Sequence, residues 1–253
     1  MSRFLIEGSG VRGVIVRLTD TWREVRARST YPHSVAQVLG QTLAASALFT
    51  GHAKIAGRLS VQLRGDGALR SVFAECTSAG TLRGLARYDQ PLPTPLTPRS
   101  FGNDALMAIT IENPPRNAGD AGRYQGLVPL DADSLPEAFE HYFNQSEQLP
   151  TRIVLATDDA TAAGIMLQRL PEASTDEDAE EGWRRASALL DTLDPAELLQ
   201  LPLQRLLYRL FNQDGVRLLD HRPLQFGCSC SGERVAGMLQ GLGSEESLAA
   251  ADS

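Results

Sequence analysis

The chain has 253 residues, a formal net charge of −7 and an apolar fraction of 42%, which allows one large domain or two smaller ones and is enough for a sizeable core. The acidic balance, without a basic stripe, argues against a binder of phosphate backbones, so no nucleic-acid partner is expected. No run approaches the roughly 18 apolar residues of a membrane-spanning helix, and Glu7 interrupts the first apolar segment too early for a secretory signal. Three cysteines, one of them isolated, do not make a secreted disulfide framework. A reducing cytoplasmic setting is expected, where clustered cysteines signal metal binding or redox chemistry more often than structural bridges.

In chain order, Arg3 to Leu18 holds two short apolar runs around Gly8, Gly10 and Gly13, the pattern of a strand pair with glycine turns. The Gly-x-Gly-x-x-Gly match there lacks a following helix and a βαβ setting, so a turn outweighs a phosphate loop. A short polar helix is expected from Asp20 to Ala27. A second helix, from Ser34 to Gly51, carries an apolar stripe at Val35, Val38, Thr42, Ala45 and Phe49, widened by Leu39, Leu43 and Leu48. Its remaining positions are mostly small, so burial over much of its circumference follows. Leu59–Leu63, Leu69–Cys76 and Leu82–Tyr88 alternate as a three-stranded meander with one face buried. Cys76, inside it, is expected to be a core cysteine.

Four prolines between residues 91 and 98 make a loop. Alternation resumes at Leu106–Ile111 and Tyr124–Leu130, joined by a polar, glycine-rich loop over residues 113–122. Ser134-Leu-Pro-Glu137 is a capping box that opens a helix with a core-facing stripe of Leu135, Ala138, Phe139, Tyr142 and Phe143. Arg152–Thr157 and Gly164–Leu170 are two further strands. Ser174 to Glu181 is an acidic run expected to be solvated. Three short helices follow, with Trp183, Ala186, Leu190 and Leu193 on the first, an Asp194-Pro195 start on the second, and Leu203, Leu206, Leu207, Leu210 and Phe211 on the third. They carry more apolar surface than so small a bundle can bury, and must pack on the first domain, on a partner or on a transient occupant. Gly215 to Asp220 reads as a strand, and Ser231 as the cap of a last helix closed by Gly243.

The chemistry is concentrated at Phe226-Gly-Cys228-Ser-Cys230. Thiols at this spacing can hold half of a metal site or close into a disulfide, and a four-ligand site needs two more ligands. A helix start at Ser231 would favour the thiolate form. His33, His52, His141 and His221 are scattered without metal-ligand spacing, and no nucleophile with a nearby base can be picked out. A thiol redox enzyme using Cys228 or Cys230 is the alternative from another class; it lacks an oriented base and a Cys-x-x-Cys.

Phe226-x-Cys228-x-Cys230-Ser-x-Glu233-Arg234 and Leu242-Gly-x-Glu245-Glu246 resemble the redox-switch region of the heat-shock protein 33 family. Thr30-Tyr-Pro32, Val61-Gln-Leu-x-Gly-Asp-Gly67, Arg83-Gly-x-Ala-Arg87 and Arg123-Tyr-Gln-Gly126 are similar to that family in the same order. So are Tyr142-Phe-x-x-Ser-Glu-Gln-Leu-Pro-Thr151, Ala163-Gly-x-Met-Leu-Gln168 and Arg209-Leu-Phe. The resemblance implies an ATP-independent, non-enzymatic holdase that binds unfolding or oxidatively damaged client proteins, with a possible homodimer that exchanges elements. It implies zinc held by a Cys-x-Cys and a later Cys-x-x-Cys, released when each pair oxidises to a disulfide, so Cys228 and Cys230 would be both metal ligands and a redox-active pair.

The sequence departs from the family at Gly232, where an arginine is common, and in lacking the Cys-x-x-Cys. It is therefore expected to be a truncated form in which Cys228 and Cys230 are half a site and zinc is not bound, and by the family logic such a chain could hold clients constitutively. The expected organisation is an α+β core over 1–173, a metastable helical linker over 174–223 and a partial redox-switch domain over 224–253. The sheet face under the linker is expected to bind clients, uncovered when Trp183, Leu190, Leu206 and Phe211 undock.

Overall fold

The computed structural model describes residues 1–53, 55–115, 122–170 and 177–228. Alternating apolar segments near the two ends of the first 170 residues build one sheet, and the central meander builds another. The first sheet uses β1 (Ser2–Ile6), β2 (Val11–Leu18), β8 (Thr151–Thr157), β9 (Ala162–Arg169) and β10 (Val216–His221), in the order β10-β1-β2-β9-β8. The second uses β3 (Arg58–Arg64), β4 (Leu69–Thr77), β5 (Thr81–Tyr88), β6 (Leu106–Glu112), β7 (Arg123–Pro129) and the two-residue β11 (Gln225–Phe226), in the order β11-β5-β4-β3-β6-β7. All pairings are antiparallel except β11 with β5. The chain is thus a mixed α+β protein with two largely antiparallel sheets and packed helices.

The helix α2 (His33–His52) lies between the two sheets and touches strands of both. That position explains its sequence. Residues 35–36, 38–40 and 42–51 are all buried, so a narrow amphipathic stripe would not serve. Its buried hydroxyls are satisfied within the helix: Thr42 donates to the Val38 carbonyl at 2.7 Å, Ser46 to Leu43 at 2.8 Å and Thr50 to Ser46 at 2.8 Å. These three hydroxyls therefore sit inside the core without being orphaned.

Around α2 pack α1 (Asp20–Arg26) and α3 (Leu135–Tyr142), the latter continuing into a π-turn over Phe143–Glu147. The expected stripe of α3 is buried, and Phe139 and Phe143 meet Phe49 edge-on with centroids 5.1 and 5.0 Å apart. The expectation of a polar α1 needs correction. Trp22 and Val25 are fully buried, and Trp22 Nε1 donates to the Asp158 carbonyl at 3.0 Å. A seven-residue helix with two core anchors is dominated by those anchors, however polar its other positions are.

After β9 the chain forms α4 (Glu177–Leu190), α5 (Pro195–Gln200) and α6 (Leu203–Phe211) before returning to the first sheet as β10. Residues 177–181 of the acidic run are the first turns of α4, and Asp178, Glu180 and Glu181 are exposed there as expected. Residues 171–176 lie outside the described residues, as do most of the 113–122 loop and everything after Cys228. The Ser231 helix, Gly232 and Cys230 are among these.

Candidate functional site

The first sheet separates two apolar layers because its strands alternate cleanly. On β2, Val14, Val16 and Leu18 face α2, whereas Val11, Gly13 and Ile15 face the opposite way. On β9, Ala163, Ile165 and Leu167 share that second face with Phe4 and Ile6 of β1. An apolar sheet face needs a cover, and α4–α6 provide it. Leu190, Leu206 and Phe211 are fully buried against it, with Ala186, Leu193, Leu198, Leu207 and Leu210; Trp183 packs at the margin, partly buried. Phe4 and Phe211 are tilted rings with centroids 6.3 Å apart. Thus the four residues named from the sequence for the undocking face are brought together on one face.

Two close approaches shape the interface. Gly13 leaves room for the Phe4 ring: a Cβ there would stand 2.1 Å from Phe4 Cζ. Gly182 of α4 crosses the Gly8–Gly10 turn so closely that a Cβ would stand 2.6 Å from Ser9 Cα. Charges pin the rim. Arg17 donates to the Leu198 carbonyl at 2.7 Å and to that of Leu201, Arg152 pairs with Asp191, and Arg169 pairs with Glu180. Such partly exposed pairs are each worth about 0–1 kcal/mol, so the apolar contacts dominate.

A second surface escaped the sequence reading. On the outer face of the six-stranded sheet, Leu85, Phe73, Gln62, Ala108 and Leu127 are cross-strand neighbours in one row. Leu127 is 59% exposed and Leu85 47%. The polar row beside it holds Arg83 and Glu75, whose Nε–Oε1 distance is 2.9 Å. Leu85, Phe73 and Leu127 are visible in the sequence as apolar residues, but only strand order and register align them.

The cysteine-bearing segment docks on the edge of this second sheet. Gln225 donates to the Gly80 carbonyl and Gly227 to that of Leu82, both at 2.9 Å. From α1, Thr21 donates to the Leu224 carbonyl at 3.3 Å, and just beyond that helix the Arg28 guanidinium lies 4.6 Å from the Phe226 ring centroid. Since β10 belongs to the first sheet and β11 to the second, the segment between them spans both. Cys228 is exposed at its end.

Among the described residues no group of three or more His, Cys, Asp or Glu side chains could hold a metal ion. Cys228 offers one thiol, so the described residues do not fit a four-ligand zinc centre. No helix among them is long and apolar enough to cross a membrane.

The third cysteine behaves differently. Cys76 is fully buried, and burial pushes its thiol from 9.0 to about 11. At pH 8 Cys76 is therefore held as the unreactive thiol. Iodoacetamide at pH 8 is expected to modify Cys228 in the folded chain while sparing Cys76, with both modified in urea; mass spectrometry of tryptic peptides reads this, and equal native labelling would refute it. Because the folded chain holds the Cys76 proton more tightly than the unfolded chain, this group's stabilisation is complete below about pH 9. It is lost as pH rises through about 11.

Comparison with known proteins places this geometry. The family model described as Hsp33 protein matches residues 1–252. A 33 kDa chaperonin of Ectopseudomonas mendocina is 44% identical over 244 residues, covering 95% of this chain and 81% of the relative. One from Hahella chejuensis is 39% identical, covering 100% of this chain and 87% of the relative. The crystal structure of the 33 kDa chaperonin from Thermotoga maritima superposes with a TM-score of 0.80 at 22% identity, over 97% of this chain and 86% of that one.

Proposed function

The chain belongs to the Hsp33 family, a family of chaperones rather than enzymes, and from that premise we propose that it is a redox-regulated, ATP-independent holdase of the cytoplasm. It would bind unfolding client proteins under oxidative stress and keep them from aggregating. The observation that carries this reading is the covered apolar face. Phe4, Ile6, Val11, Ile15, Ile165 and Leu167 lie under three short helices and form an apolar cluster separate from the core around α2, which supports a release of the helices that leaves that core in place. The proposed division is a core over 1–173, a releasable linker over 174–223 and a switch region from 224 to 253. Clients would dock where Trp183, Leu190, Leu206 and Phe211 now pack.

Cys228 and Cys230 are proposed as the redox-active pair and as half of a zinc site whose other two ligands this sequence does not contain. The chain's own part is mechanical. β11, two residues before Cys228, pairs with β5, and β10 pairs with β1, so the segment carrying Cys228 is joined to both sheets. A homodimer with exchanged elements belongs to the same reading, and sedimentation velocity would test it.

The deciding experiment follows light scattering of a heat-labile client with the chain kept reduced, oxidised by peroxide, or oxidised and then reduced. Suppression at near-stoichiometric ratios after oxidation is the expected result. Suppression that is equally strong in reductant points to constitutive holding, and no suppression in any state would overturn the holdase reading.

A further inference from the structure

A cavity of about 340 Å³ opens between the C-terminal end of α2, the sheets and the π-turn after α3. Part of its wall is apolar, formed by Phe49, Leu59, Ile109, Ile111 and Phe143. Arg12 enters from the first sheet and His52 from α2, with Tyr142 and Glu147 also on the wall. Arg12 of β2 donates to Gln168 Oε1 from Nη2 at 2.7 Å and from Nε at 3.3 Å, and Nη2 lies 3.0 Å from His52 Nε2. A guanidinium can only donate, so His52 Nε2 is the acceptor and its proton sits on Nδ1.

That arrangement leaves two needs unmet. His52 Nδ1 is buried with no hydrogen-bond partner, and an unmet buried donor is costly. Arg12 is a half-buried cation whose partners, Gln168 and His52, are both neutral; among the described residues it forms no ion pair. Glu147 also lines the cavity but is exposed and accepts from the Tyr142 hydroxyl at 3.5 Å. Burial, together with Arg12, lowers the His52 pKa to about 3, so the imidazole stays neutral and keeps its acceptor face for Arg12 at working pH.

We propose that this cavity binds a small monocarboxylate with an apolar body, of the medium-chain fatty-acid class. The carboxylate would give Arg12 its counter-charge beside the His52 ring, while the alkyl chain lies along Phe49, Ile109 and Ile111. The volume falls in the range of small-molecule sites, and an apolar pocket with a few converging polar groups is their usual form. The site is on the α2 side of the first sheet, opposite the face that α4–α6 cover.

Titrating the full chain with decanoate below its micelle concentration tests this, with decanol and decylammonium as controls. Calorimetry reads affinity, and the His52 imidazole NMR resonances read location. The expected result is saturable one-to-one binding that shifts those resonances, with both controls at least tenfold weaker. Arg12→Gln should weaken decanoate at least tenfold, and Ile111→Trp, which fills the cavity while leaving Arg12 and His52 in place, should also abolish the resonance shift. Thermal melts of both variants establish that they are folded, and either one suffices. Decylammonium binding as tightly as decanoate, binding without movement of the His52 resonances, or undiminished binding by a folded variant would overturn the proposal.

Discussion

Phe211→Ala is expected to loosen α4–α6 from the first sheet while the core around α2 stays intact. Phe211 is 1% exposed and stacks against Phe4, itself fully buried. Deleting a buried phenyl ring costs roughly 3–5 kcal/mol. Removal from this interface bears on the free energy of local opening rather than on global unfolding alone, because the helices form a separate apolar cluster with the sheet. Amide protection in α4 and α6 should fall by roughly two to four orders of magnitude, the factor those energies correspond to, while α2 amides change far less. Under the proposed function the same variant holds clients in reductant at lower concentrations than the parent. Uniform loss of protection across α2 and α6 would show that the helices do not open separately. Unchanged protection would show that they are not held by this ring.

Trp22→Ala is the second large effect. The indole is fully buried and its Nε1 donates to the Asp158 carbonyl at 3.0 Å. The expected loss is about 3–5 kcal/mol from the ring, with roughly 1 kcal/mol more for the lost hydrogen bond. Trp22→Phe keeps most of the apolar volume and should lose less than half as much. Urea titration followed by circular dichroism separates the two. The consequence also reaches the cysteine segment. With α1 displaced, the Thr21 bond to Leu224 and the Arg28 contact with Phe226 go with it. Amides of Gln225 and Gly227, which pair to the β5 edge, should then exchange faster. Unchanged exchange there would mean that β11 is held by strand pairing alone.

Much of the fold was legible because its signals are local. Alternation at Leu59–Leu63 and Leu106–Ile111 needs only neighbours two residues apart, and β3 and β6 stand there within one or two residues. The Asp194 cap is likewise local: its side chain accepts from Ala196 N at 2.7 Å and opens α5 as the sequence implies. The buried circumference of α2 was visible in its small and apolar residues, and Cys76 in its strand setting. Trp22 was misjudged because one anchor among polar residues gives no periodic signal in a helix of seven residues. The exposed row from Leu85 to Leu127 was invisible for a different reason: its members come from five strands, and alternation alone does not say which strands are neighbours.

The candidate site divides in the same way. The order of motifs from Thr30 to Glu246 carried the family by itself, since each is a short run of residue types. The apolar faces of α4–α6 were likewise determined by spacing, along with the need for something to cover. Only the tertiary structure decided what that something is. The second face of β1, β2 and β9 meets Leu190, Leu206 and Phe211 because β10 brings the chain back to pair with β1. It also decided that Arg12, Gln168 and His52 converge, from positions more than a hundred residues apart for the first two. Periodicity tells a residue which way to face; what it faces depends on strand order and register, and these are set by packing over the whole chain.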